Sequence, residues 1–135
     1  MTALENVVIT SKEDVLEILS MAERAGVPVF SLHTEGRTDR ESFFRAVKEV
    51  VPLDPPLRST RSWDALADSM WEGLHELKAP RVLIVWPDAY PAEEDEDGDF
   101  RTALMVMDDV AKDLADVQLT AGTAVSLSIY VAVNA

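Results

Sequence analysis

Two carboxylates on one predicted helix are the residues best placed for chemistry. Asp64 and Asp68 are four residues apart, so on a helix they are surface neighbours that mildly repel each other. A cationic partner offsets that repulsion, although the spacing alone favours a solvated helix face. The helix itself is predicted because Ser62 is a suitable N-cap and apolar residues follow at the helical period. The members of this apolar stripe are Trp63, Leu66, Met70, Leu74 and Leu77.

Catalytic chemistry finds little support in the chain. Glu72 and His75 place a carboxylate and an imidazole one helical turn apart, but a catalytic metal usually needs three protein ligands. A solvated helix end is the simpler interpretation, and His33 is likewise expected to be structural or exposed. The sequence has no cysteine, no glycine-rich phosphate loop and no Gly-x-Ser-x-Gly motif. We therefore predict no enzyme activity, no metal site and no cofactor, and rank a metal-dependent enzyme last.

The three tryptophans differ in their predicted surroundings. Trp63 and Trp86 lie in apolar runs and are predicted to be core anchors. Trp71 falls between the apolar stripe and the Asp68 side of the helix, which predicts a half-exposed ring. Trp71 is therefore a candidate contact for a partner.

Net charge narrows the choice of partners. The chain has 25 acidic and 12 basic residues in 135, a formal charge of −13, which disfavours nucleic acid and anionic membranes as direct partners. A basic protein is the better candidate, although acidity that serves only solubility explains the composition equally well. The sequence has no apolar run of bilayer length and no secretory signal pattern, so we predict a cytoplasmic protein.

Periodicity predicts a single α/β domain over residues 1–135. Helices alternate with short apolar strands, and parallel pairing is favoured because each helix supplies a crossover. Val82 to Val85 is an uninterrupted apolar run, the pattern of an interior strand covered on both faces. Asn6 to Ile9 is either a strand or an extended lead-in. The predicted helices cover residues 11–25, lie between Thr38 and Pro52, lie between Ser62 and Lys78, and run from Asp99, as N-cap, to about Leu114; the other strands are Val27 to His33 and Val125 to Val133.

The order of these motifs resembles the barstar family of ribonuclease inhibitors. The resemblance rests on Trp63-Asp64-Ala65-Leu66-x-Asp68, followed by the strand Val82 to Trp86, a helix and a final strand. It extends from about Val27 to Val133. It implies a three-stranded parallel sheet packed with helices, preceded by a helical N-terminal extension over residues 1–26. It also implies that an acidic helix and its preceding loop block a basic nuclease active site.

The resemblance assigns roles to individual residues. Asp64 and Asp68 match the acidic positions of the inhibitory helix, where Asp68 stands in for a substrate phosphate. A third acidic contact falls on the last helix, at Asp109 or Asp108. Arg61 adds positive charge at the mouth of the acidic face. With Trp71, these residues form the expected partner-binding set.

Two departures from the family pattern modify the expected target. Arg58-Ser59-Thr60 stands where the family usually has Tyr-Tyr/Phe-Gly, and Ala67 replaces a contact tryptophan. Because aromatic anchors commonly dominate interface energy, we expect a target other than a barnase-like enzyme. The sequence thus predicts an inhibitor or immunity protein for a basic secreted ribonuclease or toxin. The alternative is a binding module for a partner that is no nuclease, with the acidic run Glu93 to Asp97 as its contact.

Overall fold

The structure, a computed structural model, describes residues 4–59, 62–90 and 98–133. In these residues strands and helices alternate along most of the chain, as the sequence predicts. Arg61 and the acidic run Glu93 to Asp97 lie outside the described residues. The elements in chain order are β1 (Val7–Thr10), α1 (Lys12–Ala25), β2 (Val29–Ser31), α2 (Arg40–Val50), α3 (Trp63–Glu76), β3 (Arg81–Trp86), α4 (Asp99–Ala115) and β4 (Ser126–Ala132).

The four strands form one parallel sheet in the order β1-β4-β3-β2. The predicted sheet of three strands is therefore wrong by one. The added strand is β1, whose Val7 pairs with Ile129 and whose Thr10 pairs with Ala132. The N-terminal extension consequently supplies a strand as well as a helix. Without β1, the backbone of β4 would form an unpaired edge of the sheet.

Helices cover both faces of this sheet. The chain steps from β2 through β3 to β4 in one direction across the sheet, whereas the step from β1 to β2 runs the opposite way. Crossovers between parallel strands are right-handed, so these two directions place their helices on opposite faces. Accordingly α1 packs on one face, here called the back, while α2, α3 and α4 form the front layer.

Strand β3 is buried on both sides, as its apolar run predicts. Val82, Ile84 and Trp86 enter the main core under the front helices, and each is fully buried. Val85 points to the back, where it packs in a second core with Val15 of α1. The strand thus connects the two helix layers.

An aromatic cluster fixes the start of α3 against this core. The Trp63 ring lies 5.0 Å from Phe44 in an edge-to-face arrangement and 5.9 Å from Phe43. Phe43 in turn lies 5.3 Å from Trp86, whose Nε1 donates a 2.9 Å hydrogen bond to Thr34 Oγ1. Trp86 is the fully buried anchor that the sequence predicts, whereas Trp63 is half-buried at the edge of the cluster.

The N-terminus of α4 differs from its prediction. Asp99 was expected to be the N-cap, but Gly98 takes that position with φ 66°, and it provides no side-chain cap. The Asp99 carboxylate instead accepts a 2.9 Å hydrogen bond from the Arg40 backbone amide at the start of α2. A tertiary contact between two helix starts has replaced the local cap.

A buried carboxylate holds the N-terminal segment against α4. The Asp108 side chain is 2% exposed, and its Oδ1 accepts hydrogen bonds from the amides of Glu5 and Asn6, at 3.1 and 2.8 Å, and from Asn6 Nδ2 at 3.2 Å. Its Oδ2 lies 3.4 Å from Lys112 Nζ, one turn along α4. Asp108 therefore fixes the chain where it enters β1.

We expect Asp108→Ala to lower the free energy of unfolding by about 1–2 kcal/mol, because it leaves partly buried donors of Glu5 and Asn6 without an acceptor. The matched control is Asp109→Ala, which alters an exposed neighbour on the same helix and should change stability by no more than about 0.5 kcal/mol. Urea unfolding of both variants measures the difference. Equal losses of stability would show that the Asp108 contacts hold nothing together.

Candidate partner-binding surface

Helix α3 buries one stripe and leaves the rest of its surface exposed. Ser62 is the N-cap, and its hydroxyl accepts a hydrogen bond from the amide of Ala65 at 3.1 Å. Leu66, Met70 and Leu74 are fully buried, as their spacing predicts. Leu77 was expected to complete the stripe but is 40% exposed, because α3 ends one residue earlier.

The segment before α3 lies directly on the helix at Gly73. A Cβ atom added there would lie 1.9 Å from the carbonyl oxygen of Pro52, far inside contact distance. One turn earlier, the amide of Asp54 donates a 3.1 Å hydrogen bond to the carbonyl oxygen of Ser69. Gly73 thus permits the loop around residues 52–57 to pack backbone to backbone against α3.

The exposed side of α3 is acidic along its length. Asp64, Asp68 and Glu72 follow each other at intervals of four residues, and all three are exposed. Because these side chains are successive neighbours on one helix face, their charges repel. Within the described part of the chain none of them forms an ion pair.

Helix α4 places a second acidic row beside the first. Asp109 and Asp113 are exposed and four residues apart, and α4 packs against α3. The two sequence candidates for an acidic contact on this helix are now distinguished. Asp108 faces inward and is occupied by the N-terminal segment, so Asp109 is the residue available to a partner.

The two acidic rows enclose a cleft of about 500 Å³ between the helices. Four carboxylates surround an apolar floor, and Leu119 from the loop after α4 closes one side. Such a cleft offers acceptors for cationic groups together with apolar contact area for their stems. Its lining residues are Ala67, Asp68, Trp71, Glu72, Asp109, Val110, Asp113 and Leu119.

Trp71 is half-buried in this cleft, and a short chain of contacts holds its ring. The Trp71 ring stacks on His75 with centroids 4.9 Å apart and planes inclined by 23°. His75 Nε2 lies 2.7 Å from the hydroxyl oxygen of Thr123, in the loop between α4 and β4. The imidazole that sequence spacing offered as a metal ligand thus supports an aromatic side chain.

Neither histidine is part of a catalytic arrangement in the described residues. His33 is exposed, and its Nε2 lies 3.1 Å from the hydroxyl oxygen of Ser31. No carboxylate contacts the other ring nitrogen, so the third member of a nucleophilic triad is lacking there. In the same residues, no three His, Cys, Asp or Glu side chains are grouped to hold a metal ion.

The structure brings three of the five expected contact residues into one cleft, namely Asp68, Trp71 and Asp109. Asp64 is exposed one turn towards the N-terminus of α3 and does not line the cleft, and Arg61 is not among the described residues. Sequence reasoning missed the remaining charged residues and the apolar side wall. Glu72 and Asp113 follow Asp68 and Asp109 by four residues and were within reach of helical spacing.

Comparison with known proteins places the chain in a family. A model of the family described as "Barstar (barnase inhibitor)" matches residues 27–129, which is most of the chain. The chain belongs to the barstar family. No curated protein and no solved structure matches it significantly.

The family match begins at Val27, directly after α1. The matched region therefore contains β2, β3, most of β4 and the three front helices. Strand β1 and helix α1 lie before the match, yet they complete the sheet and cover its back face. No helix in the described ranges has both the length and the apolar character needed to cross a bilayer.

Two acidic residues interact where the loop meets the end of α3, namely Asp54 in the loop and Glu76 on the helix. The pKa of Glu76 is raised above its ordinary value of 4.5, chiefly by a side-chain hydrogen bond with Asp54, and further by partial desolvation and the nearby charges of Asp54 and Glu72. The shared hydrogen bond needs a proton on one of the two carboxyl groups, so it is lost when both are ionised.

We expect Gly73→Ala to destabilise the protein by about 1–3 kcal/mol, since the new methyl group meets the Pro52 carbonyl. The direction of this change in stability tests the loop contact, because alanine in place of glycine normally stabilises a helix by about 1 kcal/mol. Thermal unfolding measures the change, with exposed Glu72→Ala as the control on the same turn. A more stable Gly73→Ala protein would mean that the loop does not pack here.

We also expect Glu76→Gln to raise the melting temperature at neutral pH. A carboxyl whose pKa is raised by folding gives stability that is present below its unfolded pKa and lost as pH rises through the folded value. The variant cannot ionise, so its advantage should shrink as pH falls towards and below 4.5. Melting curves across this range test the sign, with Glu23→Gln on α1 as control. A constant difference at every pH would contradict it.

Proposed function

We propose that this chain is an inhibitor or immunity protein that blocks the active site of a basic ribonuclease or toxin. The observation that supports this most is the pair of exposed acidic rows on α3 and α4, which supply one cleft with four carboxylates, those of Asp68, Glu72, Asp109 and Asp113. Membership of a family described as barnase inhibitors supports a protein target. The role is that of a binding protein rather than an enzyme.

The proposed mechanism is electrostatic mimicry of a nucleic acid. A ribonuclease active site binds phosphates through cationic side chains, and a row of fixed carboxylates presents comparable charge. Asp68 occupies the centre of the row Asp64, Asp68 and Glu72, so it takes the position of a substrate phosphate in this proposal. The net charge of −13 attracts a basic target over a longer range and predicts that association slows as salt rises.

The apolar contacts point to a target distinct from barnase-like enzymes. Ala67 gives little contact area on the exposed side of α3, and exposed Arg58 adds a positive charge before α3. Apolar contact area is supplied instead by Trp71 and Leu119, which line the cleft together with its carboxylates. A target that places an apolar side chain among its cationic groups fits this cleft best. The inhibitor acts in the cytoplasm, before the target is exported.

The test uses the secreted proteins of the source organism. Addition of the full chain should inhibit RNA hydrolysis by this mixture, and the immobilised chain should retain a basic protein that carries the activity. Recombinant barnase serves as the reference enzyme and should be inhibited far more weakly. If the mixture loses no ribonuclease activity and the bound proteins are acidic, the proposal fails.

Asp68→Ala separates binding from folding. Asp68 is exposed, so its removal should change the free energy of unfolding by no more than about 0.5 kcal/mol. Binding to the isolated target should weaken by about 2–5 kcal/mol, roughly 30-fold to 5000-fold, because a desolvated charge pair is broken. Calorimetry of both reactions measures the split, and Glu23→Ala on α1 is the control for a lost surface charge. Unchanged affinity would remove α3 from the interface.

A further inference from the structure

Among the described residues, strand β1 forms one edge of the sheet and β2 forms the other. In the described part of the chain no strand pairs with the outer side of β1, and its sequence Val-Val-Ile-Thr contains neither a charge nor a proline. Edge strands normally carry such residues, because an open edge recruits another strand. Val8 is 46% exposed and Ile9 48% exposed. Leu16, one turn into α1, is also exposed, and lines a cleft with Ile9.

The backbone of β1 has free hydrogen-bonding groups on this outer side. The carbonyl oxygen of Asn6 accepts a 2.9 Å hydrogen bond from the amide of Ile129 in β4. Backbone groups alternate in direction along a strand, so the groups of Val8 also face β4. The N–H and C=O groups of Val7 and Ile9 consequently face outward, where an added strand can pair with them.

A second copy of this chain fits that edge in one register. In an antiparallel pair, residues whose groups face each other exchange both hydrogen bonds, so Val7 of one copy is paired with Ile9 of the other. The two-fold axis then passes between the two Val8 residues, which meet as a non-hydrogen-bonded pair with close side chains. Each copy uses the same groups, as a closed symmetric dimer requires.

Charge opposes a second copy less at this edge than at the acidic rows of α3 and α4. The chain carries −13, whereas β1 itself is uncharged; Glu5 and Lys12 flank the strand, and Glu13 and Asp14 follow in the first turn of α1. The antiparallel register brings Glu5 of one copy near Lys12 of the other, so the ends of the pair attract. Two strongly acidic chains therefore meet with less repulsion along β1 than along the acidic rows of α3 and α4.

We propose that the outer edge of β1 is a homodimerisation surface that joins two sheets into one continuous eight-stranded sheet. The contact is small, because four strand residues and Leu16 supply most of it, and small interfaces form weak, reversible complexes. Added salt screens the like charges of the two chains and should strengthen the dimer. The same addition should weaken binding to a basic target, so the two associations respond oppositely.

Sedimentation of the full chain, from low micromolar to sub-millimolar concentration, tests the proposal. The mass should rise with concentration from 14.9 kDa towards twice that value, and should rise further with salt. Val8→Lys should remain a monomer, because it sets two ammonium groups against each other at the axis. Val117→Lys, at an even more exposed apolar position in the loop after α4, should dimerise like the natural chain. A natural chain that stays monomeric throughout overturns the proposal.

A cross-link tests the register without relying on the lysine variant. The chain has no cysteine, so Val8→Cys introduces a single thiol at the proposed axis. Facing residues of a non-hydrogen-bonded pair have Cα atoms about 4.5 Å apart, within the range that a disulfide spans. Mild oxidation should convert the Val8→Cys chain to a covalent dimer and leave Val117→Cys mostly monomeric. Equal cross-linking of both variants would indicate random collision and would refute the register.

Discussion

The architecture depends on one strand that has no polar face. Successive side chains of β3 point to opposite sides of the sheet, and every residue from Val82 to Trp86 is buried. A sheet built around such a strand is stable only when helices exclude water from both sides. The front helices cover Ile84 and Trp86, but Val85 needs a second layer, which Val15 of α1 supplies. Residues before the family match are therefore part of the packing that β3 demands.

Burial of one stripe on each front helix leaves the opposite stripe free to carry charge. Like charges four residues apart destabilise a helix by about 0.2–0.5 kcal/mol per pair, and α3 and α4 together carry four such pairs. The losses are small against the burial of a leucine or methionine side chain, worth about 1.5–3 kcal/mol each. A well-packed core thus tolerates an acidic surface that lowers stability, and a cationic partner recovers that loss on binding.

The sequence pattern predicts the individual helices and strands better than it predicts which of them contact one another. The uninterrupted apolar run predicts β3, and the helical spacing of Leu66, Met70 and Leu74 predicts the buried stripe of α3. Both are found. The pairing of β1 was out of reach, because four apolar residues do not specify which strand they join. The N-cap predicted at Asp99 is wrong for a related reason. Its carboxylate accepts a hydrogen bond from the backbone amide of Arg40, in a distant segment, and does not cap its own helix. Leu119 lies in an irregular loop, where the sequence has no repeating pattern from which its place in the cleft could be predicted.

Asp108 and Asp109 show why the acidic surface and the N-terminal segment are physically connected. Consecutive residues on a helix point about 100° apart, so identical side chains at adjacent positions enter different surroundings. Asp108 turns inward and holds the amides of Glu5 and Asn6, whereas Asp109 turns outward into the cleft. Asp108 therefore attaches the N-terminal segment, which lies before the family match, to the same helix that carries the second acidic row.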